Sequence, residues 1–491
     1  MRRFQDGMIL VAAVLLAWFF LDALFQPFPV GFGLNSDQLS DLRLTQALSL
    51  LHGLKYPSLD GGVLLAPIYG PVGFCFYWPA AFFSLPSSAM LAAQIIATAC
   101  FFVPALLIFV GRNRWHGTRE GVLAFLAFGI LSCTLDALKF CAFWVHADAP
   151  ALGLAMAAAG LLYAGGGGDK RRVLSAVCVV LSIWAKQTML PVVGALVLYV
   201  WIAHGRREAV RYVGHLLLSG AVVTAAVIYF FGVRDVWLNM ILVPFYSPWI
   251  FPDKWEASLT VLRQLFLTIA VPCALLLLGL YEDLKAGLFK RGFSSWLASN
   301  PWFVFMWVGI FLLPSSFLGK IKIGAAANNL GLALCFLLIS ALLSLIRKRG
   351  SGALTIFALI LLTAAQNWPV LSQNPIAPNE KRFVADKAWR FALEHPEEVY
   401  FPGIPLAGAM ADNKFYHSGI GIWEREISGF PVPPYYFSAG LPARMKWIIF
   451  GPPFWYMPDD LKIMKRFPDW SATSLPELPG WTVFSAPKNI S

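Results

Sequence analysis

The chain begins with MRRFQDGMILVAAVLLAWFFLDALF at residues 1–25, and the acidic stretch NSDQLSD follows at residues 35–41. The apolar run from Met8 to Phe25 is about as long as a membrane-spanning helix requires. The two arginines before it predict a cytoplasmic N-terminus. The run lacks a small-residue cleavage site, which favours a retained span over a removed signal peptide. NSDQLSD is therefore expected on the outer side of a membrane.

Composition extends this interpretation to the whole chain. Of its 491 residues 58% are hydrophobic and only 13% are charged, whereas soluble domains have about 25% charged residues. The mean hydropathy is +0.65. Abundant aromatic residues, 19 Trp and 40 Phe, suit the two interfaces of a bilayer. The predicted fold class is an α-helical polytopic membrane protein with a small C-terminal α/β domain.

Apolar segments of suitable length predict about eleven transmembrane helices. They lie at 8–25, 88–110, 120–136, 148–165, 172–187, 188–203, 213–232, 259–280, 301–318, 326–346 and 352–368. The transmembrane domain is predicted to comprise residues 1–371, with a first outer loop at 26–85. The stretch FCFYWPAAFF within 60–90 leaves a further re-entrant or spanning piece open.

The net charge of +11 comes from basic residues that lie between apolar segments. Six short clusters contain 17 Lys and Arg residues and recur at every second gap, as expected for cytoplasmic loops. Residues 376–491 are neutral, with 12 basic and 12 acidic residues. This distribution excludes nucleic-acid binding. It predicts a multi-pass membrane protein with the C-terminal region outside the cytoplasm. In a Gram-negative host this would be the bacterial inner (plasma) membrane, with residues 376–491 in the periplasm.

Residues 372–491 differ in character from the rest of the chain. Proline becomes frequent and charge becomes balanced. EEVYF (397–401) and KWIIFG (446–451) are typical of buried strands, and DKAWRFALEH (386–395) is typical of an amphipathic helix. These residues are predicted to form a separate extracytoplasmic domain.

Ionisable residues gather at the predicted outer ends of the spans, where they often mark function. Each has a structural alternative. Asp37 and Asp41 also suit solvated loop charges or helix caps, and Asp148 suits a helix N-terminus. Lys186 could reach the interface along its apolar stem, and Lys320 and Lys322 also suit interface anchors. The seven cysteines form no CxxC pair, so the sequence indicates neither a disulfide framework nor a zinc site.

Several of these stretches together resemble motifs of the GT-C superfamily of membrane glycosyltransferases, which includes protein O-mannosyltransferases, the aminoarabinose transferase of lipid A and lipopolysaccharide-core sugar transferases. The resemblance covers roughly residues 1–345. Gln38 follows Asp37 where some members have an Asp-Glu pair, and the C-terminal domain matches only generically. The matching stretches are NSDQLSD (35–41), LLHGLKYPSLDGG (50–62) with APIYGPVGF (66–74), HADAPALGLAMAAAGLL (146–162), AKQTMLPV (185–192) and, more loosely, GKIKIGAAANNL (319–330).

The resemblance implies transfer of a sugar from a polyprenyl-phosphate-linked donor to a hydroxyl acceptor on the outer face of the membrane. One displacement would invert the anomeric centre, with Asp37 as the general base. The acceptor would be a glycan, a lipid or a protein. No metal is required by the sequence, although a divalent cation is compatible with it. The expected substrate-binding residues are Asp41, Tyr69, His146, Asp148, Lys186, Gln187, Lys320, Lys322 and Asn328.

Two other functional classes remain open. A polytopic transporter or lipid flippase would place charges near span centres and show internal symmetry. Here the charges lie at the outer ends, and no internal repeat is visible. A lipid-linked-glycan ligase or polymerase would share the donor class but use arginine and histidine in a large outer loop.

Overall fold

The computed structural model of the protein describes residues 2–25, 36–66, 68–111, 118–164, 168–249, 254–285, 292–323, 325–347, 350–371, 384–451 and 463–487. The predicted domain boundary at 371/372 lies at the edge of a segment outside these ranges. The helices are α1 Arg2–Phe25, α2 Ser36–Leu51, α3 Pro71–Cys75, α4 Pro86–Val110, α5 Thr118–Thr134, α6 Asp136–Phe143, α7 Asp148–Tyr163, α8 Asp169–Ala185, α9 Pro191–His204, α10 Arg206–Phe231, α11 Val233–Trp237, α12 Val243–Tyr246, α13 Lys254–Lys285, α14 Phe293–Ser299, α15 Phe303–Lys320, α16 Asn328–Ile346, α17 Gly350–Gln366, α18 Trp368–Leu371, α19 Val384–Glu394, α20 Pro405–Asp412, α21 Gly419–Ile427 and α22 Pro434–Ala439. The strands are β1 Val399–Tyr400, β2 Trp447–Phe450, β3 Ser471–Thr473 and β4 Thr482–Ser485.

The mostly helical membrane fold predicted from composition is confirmed. By length and composition, 7 of the described helices can cross a membrane, or 8 if α5 and α6, which are bent by 98° at their junction, form one span. Each of the eleven predicted segments coincides with a helix. The count of eleven spans stays a prediction because α7, with 16 residues, is about 24 Å long, shorter than a typical hydrocarbon core.

Helix α16 forms the centre of the membrane part. Every one of its residues is buried, and its sequence, NNLGLALCFLLISALLSLI, is apolar almost all round. A helix that is apolar on every face is stable only when other helices surround it. Helices α5, α6, α13 and α15 pack against it.

Helix α2 lies in the loop that was predicted to follow the first span. Residues 39–50 of this helix are all buried, although polar and apolar residues are mixed along it. Buried polar groups need hydrogen-bond partners, and Asp41 of α2 obtains one from Leu406 in the C-terminal region, which packs on α2 through α20. This contact places the C-terminal region on the same side of the molecule as α2.

The C-terminal region forms a four-stranded mixed sheet in the order β1-β2-β4-β3, in which β1 and β2 are parallel. The two predicted strands and the predicted helix correspond to β1, β2 and α19, so the small α/β fold is confirmed. Successive residues of β2 point to opposite faces. Ile449 packs with residues of α19 and α20, and Ile448 packs with residues of α21 and α22. Helices therefore cover the sheet on both sides.

Candidate functional site

The carboxylate of Asp148 is the centre of a buried polar cluster. Its side chain is fully buried. Lys186 Nζ donates a hydrogen bond to Oδ1, and His146 Nδ1 contacts Oδ2. Asn328 Nδ2 donates to Oδ2 over 2.7 Å. Three segments far apart in the chain thus meet on one carboxylate, and the sequence had nominated all four residues.

The break between α6 and α7 positions His146 and Asp148. Phe143 ends α6, and Asp148 is the first residue of α7, where the helix dipole favours a negative charge. The main chain of His146 is fixed by Tyr77, whose hydroxyl donates to the His146 carbonyl over 2.6 Å. The cap position of α7 is occupied by Ala147, and the Asp148 carboxylate contacts Lys186, His146 and Asn328.

Lys186 lies at another helix break. It follows the last residue of α8 and has an extended backbone, and Pro191 starts α9 shortly after it. Its side chain is only 2% exposed, so it does not extend to the interface as the alternative interpretation required. Gln187, next to it, donates to the carbonyls of Ile68 over 2.9 Å and Met240 over 3.1 Å. The amide of Gln187 therefore holds surrounding main chain in place.

The aromatic ring of Tyr69 lies beside these cations. Lys186 Nζ is 5.4 Å from the ring centroid and Arg43 Cζ is 4.9 Å from it, within the range of a cation–π contact. The neighbouring residue Gly70 packs closely against the end of α8, because a Cβ added there would lie 1.8 Å from the Trp184 carbonyl oxygen. The glycine in the YGP segment is thus required by close packing against the end of α8.

Arg43 and Glu424 were not among the nominated residues. Arg43, on α2, is buried and donates to the Ala66 carbonyl. Its Nη2 atom lies 3.9 Å from Oε1 of Glu424, on α21. The available signal for Arg43 was its position in the sequence, two residues after the acidic stretch NSDQLSD. Nothing local marked Glu424, because its partner lies at the other end of the chain.

The lysines at the end of α15 differ from each other. Lys322 Nζ donates to three main-chain carbonyls, including those of Phe245 over 2.9 Å and Ser247 over 3.2 Å. Lys320 Nζ donates to the Ala325 carbonyl over 3.2 Å. Within the described ranges, no carboxylate pairs with either lysine. Neither ammonium group is therefore neutralised by a described carboxylate.

These groups surround a cleft between one end of the bundle of membrane helices, helix α2 and the C-terminal region. It encloses about 160 Å³. Of the nominated residues Tyr69, His146, Lys186, Gln187, Lys322 and Asn328 line it, and Asp41, Asp148 and Lys320 are not among its lining residues. Its other lining residues include Arg43, Phe140, Ser247, Asn329, Ile420, Trp423, Glu424 and Ile427.

The two carboxylates of NSDQLSD have different positions on α2. Asp37 lies in its first turn, and its side chain falls outside the described residues, so its role stays a prediction. Asp41 Oδ1 accepts a hydrogen bond from Leu406 N over 3.0 Å. Leu406 is in the first turn of α20, so Asp41 satisfies a main-chain donor of a helix in the C-terminal domain. This contact matches the capping alternative, here between two domains.

Burial shifts the pKa of several groups outside the spans. It raises the pKa of Glu424 from 4.5 to about 7, although nearby Arg43 lowers it. It lowers the pKa of Lys322 from its ordinary value. It also lowers the pKa of His417, in the C-terminal domain, to about 4. The protonation of Glu424 therefore changes near neutral pH.

In the part of the chain that the structure describes, no three His, Cys, Asp or Glu side chains come close enough together to hold a metal ion.

Comparisons with known proteins give likenesses to solved membrane proteins. No family model matches the chain, and no curated protein matches it. It is similar to ArnT from Cupriavidus metallidurans bound to undecaprenyl phosphate, with 12% identity, coverage of 100% of this chain and 99% of that one, and a TM-score of 0.45. It is also similar to the archaeal oligosaccharyltransferase AglB from Archaeoglobus fulgidus in complex with an inhibitory peptide and a dolichol-phosphate, with 10% identity, coverage of 100% and 75%, and a TM-score of 0.46.

An Archaeoglobus fulgidus oligosaccharyltransferase in complex with Zn and sulfate gives 11% identity, coverage of 90% and 68%, and a TM-score of 0.45. All three TM-scores lie below 0.5. The functional proposal is therefore based on the side chains of the cleft and not on these likenesses.

Proposed function

We propose that the protein is a membrane glycosyltransferase that moves a sugar from a polyprenyl-phosphate-linked donor to a hydroxyl acceptor in this cleft. The single observation that carries the proposal is the set of cations lining the cleft, Arg43, Lys186 and Lys322. Lys186 and Lys322 follow the ends of the apolar helices α8 and α15, and Arg43 lies on α2, so the three cations can meet a phosphate whose lipid chain remains in the membrane. Glu424 is the one carboxylate among the described lining residues, which leaves the lining net positive.

The cations have a direct chemical use in this reaction. When the acceptor oxygen attacks the anomeric carbon, the bond between that carbon and the phosphate oxygen breaks. The leaving lipid phosphate gains negative charge as this happens. Fixed cations in a cleft with little water stabilise that charge more strongly than cations in bulk water. Lys322 is best suited to the role, because no described carboxylate neutralises it. Its Nζ donates to three main-chain carbonyls, so a bound phosphate would replace at least one of these neutral acceptors.

The hydroxyl proton must go to a base during the attack. We assign this role to Asp37, which is on the first turn of α2 and six residues before Arg43 of the cleft. Asp148 is less suitable, because Lys186, Asn328 and His146 already occupy its oxygens. Its role is to hold Lys186 and His146 in position. Attack from the side opposite the leaving phosphate gives inversion.

The test uses binding and product analysis together. Purified protein in detergent should bind undecaprenyl phosphate but bind undecaprenol, which lacks the phosphate, more weakly. Lys322→Met should weaken binding of undecaprenyl phosphate by about 10- to 100-fold, the scale of one charge-assisted hydrogen bond. Lys170→Met is the control, because Lys170 is exposed at the start of α8.

Mass spectrometry of surface glycans and lipids should show that a deletion strain lacks one sugar. Equal binding of both lipids, together with unchanged glycans in the deletion strain, would overturn the proposal. A transporter would instead leave the glycan bonds intact and change the side of the membrane on which a lipid is found.

A further inference from the structure

One face of α21 forms a wall of the cleft. Ile420, Trp423, Glu424 and Ile427 all line it, and their spacing places them on one side of a helix. The face therefore combines an indole ring, two aliphatic side chains and one carboxylate. It belongs to the C-terminal region, while Lys186 and His146 of the membrane part line the same cleft.

The carboxylate on this face has unused hydrogen-bonding capacity. Glu424 is 16% exposed, and Oε1 lies 3.9 Å from Arg43 Nη2, beyond normal hydrogen-bond distance. Oε2 is buried and has no hydrogen-bond partner among the described residues. A buried carboxylate oxygen without a donor is unfavourable, so a donor that enters the cleft would be bound at this point.

The position of α21 is fixed by the first outer loop. Ser418 Oγ caps the helix by accepting from Gly421 N over 2.9 Å, and Ser418 N donates to the Leu64 carbonyl over 2.8 Å. Gly421 has no side chain to separate the two segments, since a Cβ there would lie 2.3 Å from the Leu64 carbonyl oxygen. The wall is therefore a preformed surface.

We propose that this face binds the acceptor and that the acceptor is a saccharide, with Glu424 accepting hydrogen bonds from its hydroxyl groups. This inference rests on the proposed function. A sugar ring has an apolar C–H face that suits Trp423 and Ile427, and its hydroxyls supply the donors that Glu424 lacks. A lipid acyl chain would leave the carboxylate without a donor. Glu424 is a substrate-binding residue here, while Asp37 keeps the role of base.

The first experiment captures the occupant in cells. A photo-crosslinking amino acid at Ile427 should give an adduct whose mass and fragments show sugar residues. The same amino acid at Tyr435, which is 64% exposed and is not among the lining residues of the cleft, is the control and should give no such adduct. A peptide or a polyprenyl chain without sugar at position 427 would overturn the proposal.

The second experiment tests Glu424 itself. In the deletion strain, expression of Glu424→Gln should restore at most about a tenth of the wild-type glycan product. Undecaprenyl phosphate binding by purified Glu424→Gln should stay within about twofold of wild type. The matched control is Glu426→Gln, on the same helix, where Glu426 pairs with Arg466; it should restore full product.

The outcomes separate the two proposals. Unchanged glycans in the deletion strain would remove the proposed function. A sugar lost in the deletion strain but fully restored by Glu424→Gln would remove only the assignment of Glu424. Loss of undecaprenyl phosphate binding in Glu424→Gln would place the residue at the donor instead of the acceptor, and would also overturn the inference.

Discussion

Arg43 Nη2 lies 3.9 Å from Glu424 Oε1, although one residue is on α2 near the start of the chain and the other is on α21 in the C-terminal region. The pair spans the cleft, and both residues line it. The membrane helices and the C-terminal domain therefore build one site together. The predictions below test the two sides of this site separately.

The Lys186–Asp148 pair should contribute to stability as well as to activity. Lys186→Met leaves Asp148 buried without its lysine, and breaking a buried pair in this way costs about 3–5 kcal/mol. The Tm in detergent should fall, and the glycan product should fall with it. The double variant Lys186→Met/Asp148→Asn should regain much of the Tm but little activity. If the double variant is as active as wild type, the pair has only a structural role.

The two carboxylates of NSDQLSD should behave differently when substituted. Asp37→Asn removes the assigned base, so sugar transfer should fall by roughly 10²–10⁴-fold while the Tm stays unchanged. Asp41→Ala removes the acceptor for Leu406 N, which should cost about 1 kcal/mol of stability. Product analysis and a thermal scan of each variant distinguish the two roles. Normal transfer by Asp37→Asn would show that another carboxylate is the base.

Glu424 should make the protein less stable as pH rises. Its pKa is raised from 4.5 to about 7 in the folded protein, so the folded state binds this proton more tightly than the unfolded state. Stability linked to the group is present below pH 4.5 and declines as pH rises to about 7. The stability of Glu424→Gln relative to wild type should therefore increase from pH 4.5 to 7.5, by at most about 3 kcal/mol in the free energy of unfolding. The Tm difference between the two proteins, measured at each pH, follows this change. A constant difference over this range would contradict the shifted pKa.

His417 should have the opposite pH dependence. Its Nδ1 accepts from Leu64 N over 3.0 Å, and its Nε2 lies 3.1 Å from the Tyr436 carbonyl oxygen, an arrangement that fits the neutral ring. Burial lowers its pKa from 6.5 to about 4. Its contribution to stability is complete above pH 6.5 and is lost as pH falls toward 4. His417→Asn should lower the Tm at pH 8 and make the Tm depend less on pH between 6.5 and 4. If the Tm of the variant changes with pH as steeply as that of wild type, His417 is not the group responsible.

The topology follows from the basic clusters and the position of the C-terminal domain. A reporter that is active only outside the cytoplasm, fused after Ser491, should be active, because residues 376–491 are expected on the outer side. The same reporter fused after Arg171, in a predicted cytoplasmic cluster, is the control and should be inactive. Activity only in the second fusion would reverse the orientation and place the cleft on the cytoplasmic side.

The sequence by itself determined the membrane fold and most of the site residues that belong to the membrane part. Spans, helix breaks and strands depend on local patterns of apolar and polar residues, which a single sequence displays directly. Asp148 and Lys186 were identifiable because each is a charge at the end of an apolar helix, where a charge is costly unless it has a use. The C-terminal strands Val399–Tyr400 and Trp447–Phe450 were marked by short runs of buried residues in the same way.

Only the tertiary structure decided which of these residues meet and what they meet. Asp148 contacts Asn328, Asp41 caps a helix in another domain, and Glu424 comes within 3.9 Å of Arg43. Such contacts depend on how helices pack over long distances along the chain, and packing leaves no periodic signal at the individual positions. A glutamate on a short amphipathic helix resembles any surface charge until the fold places its carboxylate in a cleft and removes the water around it, which is why Glu424 could not be recognised from the sequence.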